Sequence, residues 1–478
     1  MITFCIAILS LLAGFFIYGR YMDRIMGVKA SRKTPAYRLE DGVDYVPMST
    51  WRVFLVQFLN IAGLGPIFGA IAGAAWGPVA YLWIVLGCVF GGAVHDYFSG
   101  MLSLRQDGLS VPEIVGKYLG NGFRQFMRGF TLILMVMVGV VFIIGPARLL
   151  AGLTPEVLDF RFWVLAVFCY YILATLLPID KIIGRIYPFF GFVLLFMAVA
   201  IISGLFWYHY SIPELTAGNF RNMHSHPDHF PVFPLLFVTI ACGAVSGFHS
   251  TQAPMMARCI KNERLGRHVF YGAMIAEGIL ACIWAAAAMS FYGGVQELNG
   301  VMTEHKGNAA WVVNEISNTL LGKLGAVLAI LGVVAAPITS GDTAFRSARL
   351  IAADFLRIPQ KKILNRLLIS TPLFVIGFLG TSFDFSIVWR YMAWWNQTLA
   401  AIVLWTITIF LMSAGKNYWV AIIPAVFMTA VSSSYLLVAP EGLNLQENVS
   451  ILTGLLFTLL FSVLFIVRMR FRTVYIDL

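Results

Sequence analysis

The chain has 478 residues, of which 59% are hydrophobic and only 12% charged, and its mean hydropathy is +0.82. That apolarity excludes a string of soluble domains and points to a polytopic membrane protein whose main partner is the lipid bilayer. The formal net charge of +10 raises nucleic acid as a partner, but the basic residues are shared out among short loops, and no nucleic acid is needed to account for them.

Thirteen apolar runs reach membrane-crossing length, about 17–25 residues each. They cover 2–19, 52–75, 79–104, 126–147, 161–178, 186–208, 232–254, 267–292, 322–345, 363–381, 388–412, 418–438 and 448–467. The first, Ile2–Tyr18, has no leading basic region, so it is expected to be a retained span and not a cleaved signal peptide. If the spans alternate with the N-terminus outside, one face collects 27 of the 33 basic residues. The other keeps Arg148, Arg161, Arg221, Lys306, Lys323 and Arg390. By the positive-inside rule this predicts thirteen crossings of a plasma membrane, N-terminus out and C-terminus cytoplasmic.

The second span carries Ala62-Gly63-Leu64-Gly65-Pro66-Ile67-Phe68-Gly69. Glycine weakens a helix and proline removes a ladder hydrogen bond, so the helix should open at membrane depth. Backbone freed there is tolerated only in protein or against a wet cavity. The seventh span has the same character at Cys242-Gly243-Ala244-Val245-Ser246-Gly247-Phe248-His249. Two broken spans five apart, running in opposite directions, predict an inverted repeat with the substrate at the breaks. The repeats would be 52–208 and 232–412, with an extra helix 2–19 in front and accessory helices in 418–467, all in one membrane domain, 1–478. The plainer reading is that Gly and Pro are common in membrane helices.

Two outer loops stand out. In 293–321, Ala309, Val312, Val313, Ile316 and Leu320 form a helical apolar stripe, read either as a lid or as a plain interfacial helix. In 209–231, the tract His224-Ser225-His226-Pro227-Asp228-His229 has a metal-binding composition, against the simpler reading of a solvated loop.

Ionisable residues inside spans are costly, about 2.5–3.5 kcal/mol each on insertion scales, and so are functional candidates. They are His95 and Asp96 in the third span, His249 in the seventh, Glu277 in the eighth and Asp342 in the ninth. His249, with Ser250 beside it, follows the second break, where free N–H groups favour an anion; the alternative is a structural histidine. Glu277 is a proton carrier or a neutral hydrogen-bonding acid. His95-Asp96 reads as part of an inner gate. The run Pro337-Ile338-Thr339-Ser340-Gly341-Asp342-Thr343 offers oxygen ligands for a hard cation or a proton site. Alternatively its hydroxyls bond back to their own helix and Asp342 pairs with Arg346. The six cysteines lie in or beside apolar runs with no Cys-x-x-Cys and read as packing residues, not zinc ligands or disulfides. No P-loop, His-Glu-x-x-His or nucleophile-elbow pattern occurs, which disfavours an ATP-driven pump or a hydrolase. No cofactor is expected.

Asp41-Gly42-Val43-Asp44-Tyr45-Val46-Pro47, Ile61-Ala62-Gly63-Leu64-Gly65-Pro66, Gly91-Gly92-Ala93-Val94-His95-Asp96-Tyr97 and Leu104-Arg105-Gln106-Asp107-Gly108 follow in order. Together with Ser246–Gln252 and Thr339–Ala344 they resemble the carbon starvation protein A (CstA) family, over about residues 35–355. His95 departs from the family's Val-Gln-Asp, and the chain is shorter than many members. The resemblance implies a transporter of the bacterial inner membrane with a leucine-transporter-like core of the amino acid–polyamine–organocation superfamily. It implies uptake of short peptides in carbon starvation, or proton-driven uptake of pyruvate. The candidate substrate residues are Gly63, Leu64, Gly65, Pro66, Gly243, Ser246, Gly247, His249 and Ser250. Those for a coupling ion, H⁺ or Na⁺, are Ala62, Thr339, Ser340, Asp342, Thr343, Asp96 and Glu277. A membrane nutrient sensor or a channel of the same fold is the alternative function.

Overall fold

The computed structural model describes residues 1–152, 154–176 and 183–470, and those residues are all-helical apart from turns and loops. Residues 177–178 of the fifth expected span, and the basic residues Lys181 and Arg472, lie outside them.

In chain order the helices are α1 (Ile2–Met26), α2 (Thr50–Ala62), α3 (Gly65–Trp76), α4 (Val79–Arg105), α5 (Val111–Leu119), α6 (Asn121–Ala151), α7 (Phe160–Leu176) and α8 (Ile183–Trp207). Next come α9 (Val232–Leu236 running on through Phe237–Thr239), α10 (Phe248–Ala257), α11 (Glu263–Phe291) and α12 (Val295–Glu304). Last are α13 (Ala309–Leu356), α14 (Ile363–Gly380), α15 (Phe385–Ser413), α16 (Trp419–Val438) and α17 (Glu447–Arg470). Among the described residues nine helices are long and apolar enough to cross a membrane, or ten if α2 and α3, bent by 54°, count as one span. The protein is therefore a polytopic membrane protein. The fifth expected span appears as the shorter α7, the seventh as two pieces, and the ninth as part of α13.

Local chemistry explains the punctuation. The α2/α3 break falls at Gly63, whose φ of +27° and ψ of −141° no side chain tolerates well. Asp384 caps α15 by accepting the Ser386 and Ile387 N–H groups. Asn308 caps α13 through Trp311 N–H. Gly322 (φ +65°) bends α13, so that the expected lid stripe becomes its first three turns. There Val312, Val313 and Ile316 are buried while Glu315 and Asn318 are exposed, as the stripe predicts.

The centre of the bundle is α2, α3, α10 and α11, wrapped by α4, α6, α8, α13 and α15. The outermost helices keep apolar side chains on the surface, among them Leu452, Leu456, Leu459 and Leu460 of α17. That is the face a helix presents to lipid.

Candidate functional site

The two breaks meet. A Cβ built on Gly65 would lie 2.2 Å from Cys242 Cβ and 2.3 Å from its Sγ, and one on Gly243 would lie 3.9 Å from Pro66 Cβ. Glycine at 65 is thus required by close approach. At Gly243 it is also required by a φ of +88°. Sequence spacing paired these breaks; the structure brings Gly65 and Pro66 against Cys242 and Gly243, and Gly63, Leu64, Gly65, Pro66 and Gly243 are all buried.

At this junction sits a chain of four ionisable side chains, His95, Asp96, His249 and Glu277, each no more than 1% exposed. Asp96 Oδ1 accepts from His95 Nδ1 at 2.8 Å, and Asp96 Oδ2 accepts from His249 Nδ1 at 2.9 Å. An ionised carboxylate only accepts, so both histidines carry a proton on Nδ1. His249 Nε2 then faces Glu277 Oε2 at 3.4 Å. Glu277 Oε1 accepts the backbone N–H of Gly243 at 3.1 Å. The chain therefore runs from α4, through α10, to α11 and back to the second break.

Charge in such a place survives only when paired and hydrogen-bonded. Here an imidazole lies between two carboxylates. The Cys242 thiol completes the group: Cys242, His249 and Glu277 have ligand-type atoms within 4.8 Å of one another. The one imidazole between Asp96 and Glu277 can offset the charge of only one of the two carboxylates.

Asp96 and His95, expected to be part of an inner gate, bond to one another and, through Asp96, to His249 beside the second break. Ser246 and Gly247 belong to a second anchor. Asn396 of α15 accepts Phe248 N–H at 2.6 Å and donates to Ser246 Oγ at 3.1 Å. A Cβ on Gly247 would strike the Asn396 carbonyl oxygen at 2.3 Å. Of the N–H groups expected to greet an anion, those of Gly243 and Phe248 are thus held by side chains of the protein. Ser250 donates back to the Gly247 carbonyl.

The oxygen-rich run lies in α13. Thr339 donates to the Ala335 and Ala336 carbonyls and Thr343 to those of Thr339 and Ser340, which is the back-bonded alternative. Ser340 differs: it also donates to the Leu59 carbonyl of α2 at 3.0 Å. This ties the run to α2 one turn before Ala62. Asp342 accepts from the Tyr187 hydroxyl of α8, while Arg346 reaches the Ala174 carbonyl at 2.6 Å and Asp44 at 3.6 Å.

Three groups were not marked by sequence reasoning. Asn396 stands in an apolar span, Trp394-Trp395-Asn396-Gln397-Thr398, where an amide is costly enough to have been a signal. Tyr187 and Cys242 carried none: an aromatic hydroxyl and a lone thiol are ordinary in membrane helices. In the loop between α8 and α9, the His224 ring stacks on Phe230 with centroids 4.3 Å apart, so that part of the histidine tract is packing.

In the segment before α2, Asp44 is buried beside Arg349, at 3.3 Å, and Arg346. Burial alone would raise its carboxyl, but the Arg349, Arg346, Arg258 and Arg366 guanidiniums hold it below the usual carboxylate range.

The family described as Carbon starvation protein CstA matches residues 1–157 and 151–324. A membrane protein of Haemophilus influenzae with no characterised function is 43% identical over 350 residues, covering 63% of this chain and 94% of that protein. The peptide transporter CstA of Bacillus subtilis is 29% identical over 60% of this chain and 58% of its own length. The pyruvate/proton symporter BtsT of Escherichia coli is 25% identical over 58% of this chain and 47% of its own. The chain thus spans about half the length of these two transporters. With the family profile covering most of its length, the chain belongs to the carbon starvation protein CstA family.

Proposed function

We propose that this protein is an ion-coupled secondary transporter that takes up a small carboxylate nutrient, a pyruvate-like acid or a short peptide, by alternating access. The observation that carries the proposal is the meeting of two helix breaks around a buried carboxylate–imidazole chain. Dipoles and free N–H groups at broken helix ends recognise an anion, and paired breaks mark substrate sites in transporters. The named relatives, a peptide transporter and a pyruvate/proton symporter, favour the same reading.

The internal symmetry of the helix contacts speaks for the inverted repeat, 52–208 against 232–412. After the first break α3 packs on α11; after the second, α10 packs on α4. Before the first break α2 packs on α8; before the second, α9 packs on α15, and α6 lies along α13. Each pair exchanges the two halves. On this reading the thirteen-span topology with a leucine-transporter-like core holds, N-terminus outside and C-terminus cytoplasmic, and α1, α16 and α17 are additions. The helix α12 acts as an outer lid. Its Asn299 amide donates to the Ala75 carbonyl at the end of α3 and to the Met223 carbonyl, both at 3.1 Å, which ties the lid to α3.

Of the two coupling ions, the proton is favoured. The central chain offers histidine and carboxylate, whereas the Thr339 and Thr343 hydroxyls are turned back on their own helix.

The test is uptake of labelled pyruvate and of a labelled dipeptide into proteoliposomes, under a pH gradient and separately a sodium gradient. Accumulation driven by the pH gradient supports the reading. Steady conductance without accumulation turns it to a channel, and binding without uptake to a sensor.

A further inference from the structure

We propose that Glu277 is the coupling carboxylate, competing with the substrate's own carboxylate for the Gly243 N–H, so that one proton enters with one monocarboxylate anion. The proposal rests on the transporter reading above.

The Gly243 N–H is a backbone donor at the second break, and in the structure Glu277 Oε1 holds it. The other oxygen, Oε2, faces His249 Nε2 at 3.4 Å, an ion pair when the histidine is charged. His249 is fixed from behind by Asp96, and Asp96 by His95. The groups facing Glu277 are the His249 imidazole from α10, the Cys242 thiol at the break, and Asp96 and the Cys88 thiol from α4. The first break, Gly63 to Gly69, offers no titratable side chain.

The charges can be followed through binding. With Asp96 ionised, His249 doubly protonated and Glu277 ionised, the buried group sums to one negative charge. A substrate anion entering alone would make it two, and a further buried charge costs several kcal/mol. If a proton first adds to Glu277, its carboxylate becomes a neutral acid and its hold on the Gly243 N–H weakens. The substrate carboxylate accepts that N–H and takes the place of Glu277 opposite the imidazolium. The sum returns to one negative charge. Release on the inner side reverses both steps, and no other bond changes.

A distinction between substrates follows. A monocarboxylate such as pyruvate, carrying one proton, crosses electroneutrally. A zwitterionic dipeptide with the same carboxylate, carrying one proton, moves one positive charge.

The experiment uses the full chain in proteoliposomes, with labelled pyruvate. A pH gradient is imposed at zero potential, and a potassium–valinomycin potential is imposed at equal pH. Pyruvate is expected to accumulate with the pH gradient and to ignore the potential. Glu277→Gln, which mimics the protonated acid, is expected to keep pyruvate exchange while losing accumulation. Glu277→Asp, which still titrates, is expected to keep part of it. Accumulation by Glu277→Gln, or pyruvate uptake by wild type that follows the potential, overturns the proposal and leaves the transporter reading standing. Absence of uptake and exchange of both pyruvate and dipeptide in folded wild type overturns the transporter reading and this proposal with it. The potential measurement needs no variant, so misfolding of one does not protect the proposal.

Discussion

Gly65→Ala separates two opposing physical effects. Gly65 has helical backbone geometry, and alanine in a helix interior is better than glycine by about 0.5–1 kcal/mol. Local propensity alone therefore predicts a small gain in stability. The contact across the breaks predicts the reverse, because the new methyl would lie 2.2 Å from Cys242 Cβ and 2.3 Å from its Sγ. Overpacking of this kind costs about 1–3 kcal/mol, or about 5- to 150-fold in the population of the packed state. Uptake in proteoliposomes should fall at least about five-fold on that scale, while the protein still inserts and elutes as a single species. The larger Gly65→Leu should abolish transport. Cys242→Gly in the Gly65→Ala background removes the opposing Cβ and should recover uptake. Cys242→Ala keeps that Cβ and should recover little. Full uptake by Gly65→Ala, or equal recovery by both second-site changes, would refute the apposition of the breaks.

Three further outcomes are expected. Gly341→Ala would place a methyl 2.1 Å from the Tyr171 hydroxyl, so its melting temperature in detergent should drop below wild type, and co-substitution Tyr171→Phe should restore part of the loss. Asp44→Asn removes one partner of a buried ion pair, a loss of about 3–5 kcal/mol. Arginines hold the Asp44 carboxyl below its unfolded value. Its contribution is therefore full above the ordinary carboxylate range and is lost as pH falls through the folded pKa. The gap in melting temperature between wild type and Asp44→Asn should be wide at neutral pH and should close in acid. Finally, Ser340→Ala with Thr343→Ala should leave the sodium response of uptake unchanged if the proton is the coupling ion; loss of a sodium response would move the coupling site to α13.

Much of the architecture was legible because membrane helices are written in composition. Twenty apolar residues in a row allow few alternatives in lipid, and the glycines at 63, 65 and 243 announced breaks. The candidates His249, Asp96 and Glu277 were legible for the same reason, since a charge in a span is costly. Their connection was not. Nothing in spacing places Asp96 of α4 within 2.9 Å of His249 in α10, because three-dimensional pairing depends on how the repeats interlock. Sequence offered His95-Asp96 as part of an inner gate and gave no sign of this bonded chain. The hydroxyls of Thr339 and Thr343 show the converse limit: residue type offered ligands, but rotamer and backbone settled on local bonds. Asn396 was overlooked although its cost in an apolar span was visible. It lies beyond both breaks in sequence and meets the second only through the packing of α10 on α15.

The most direct measurement concerns Cys242, the thiol at the meeting point of the breaks. In a variant keeping Cys242 as its single cysteine, the rate of alkylation by a small maleimide would be followed in proteoliposomes. The substrate that drives uptake would be present or absent. If substrate binds between the breaks, saturating substrate should slow the labelling of Cys242 and leave unaffected a control variant in which Ser225→Cys supplies the single cysteine. Labelling of Cys242 that is indifferent to a saturating, transported substrate would contradict the placement of the binding site.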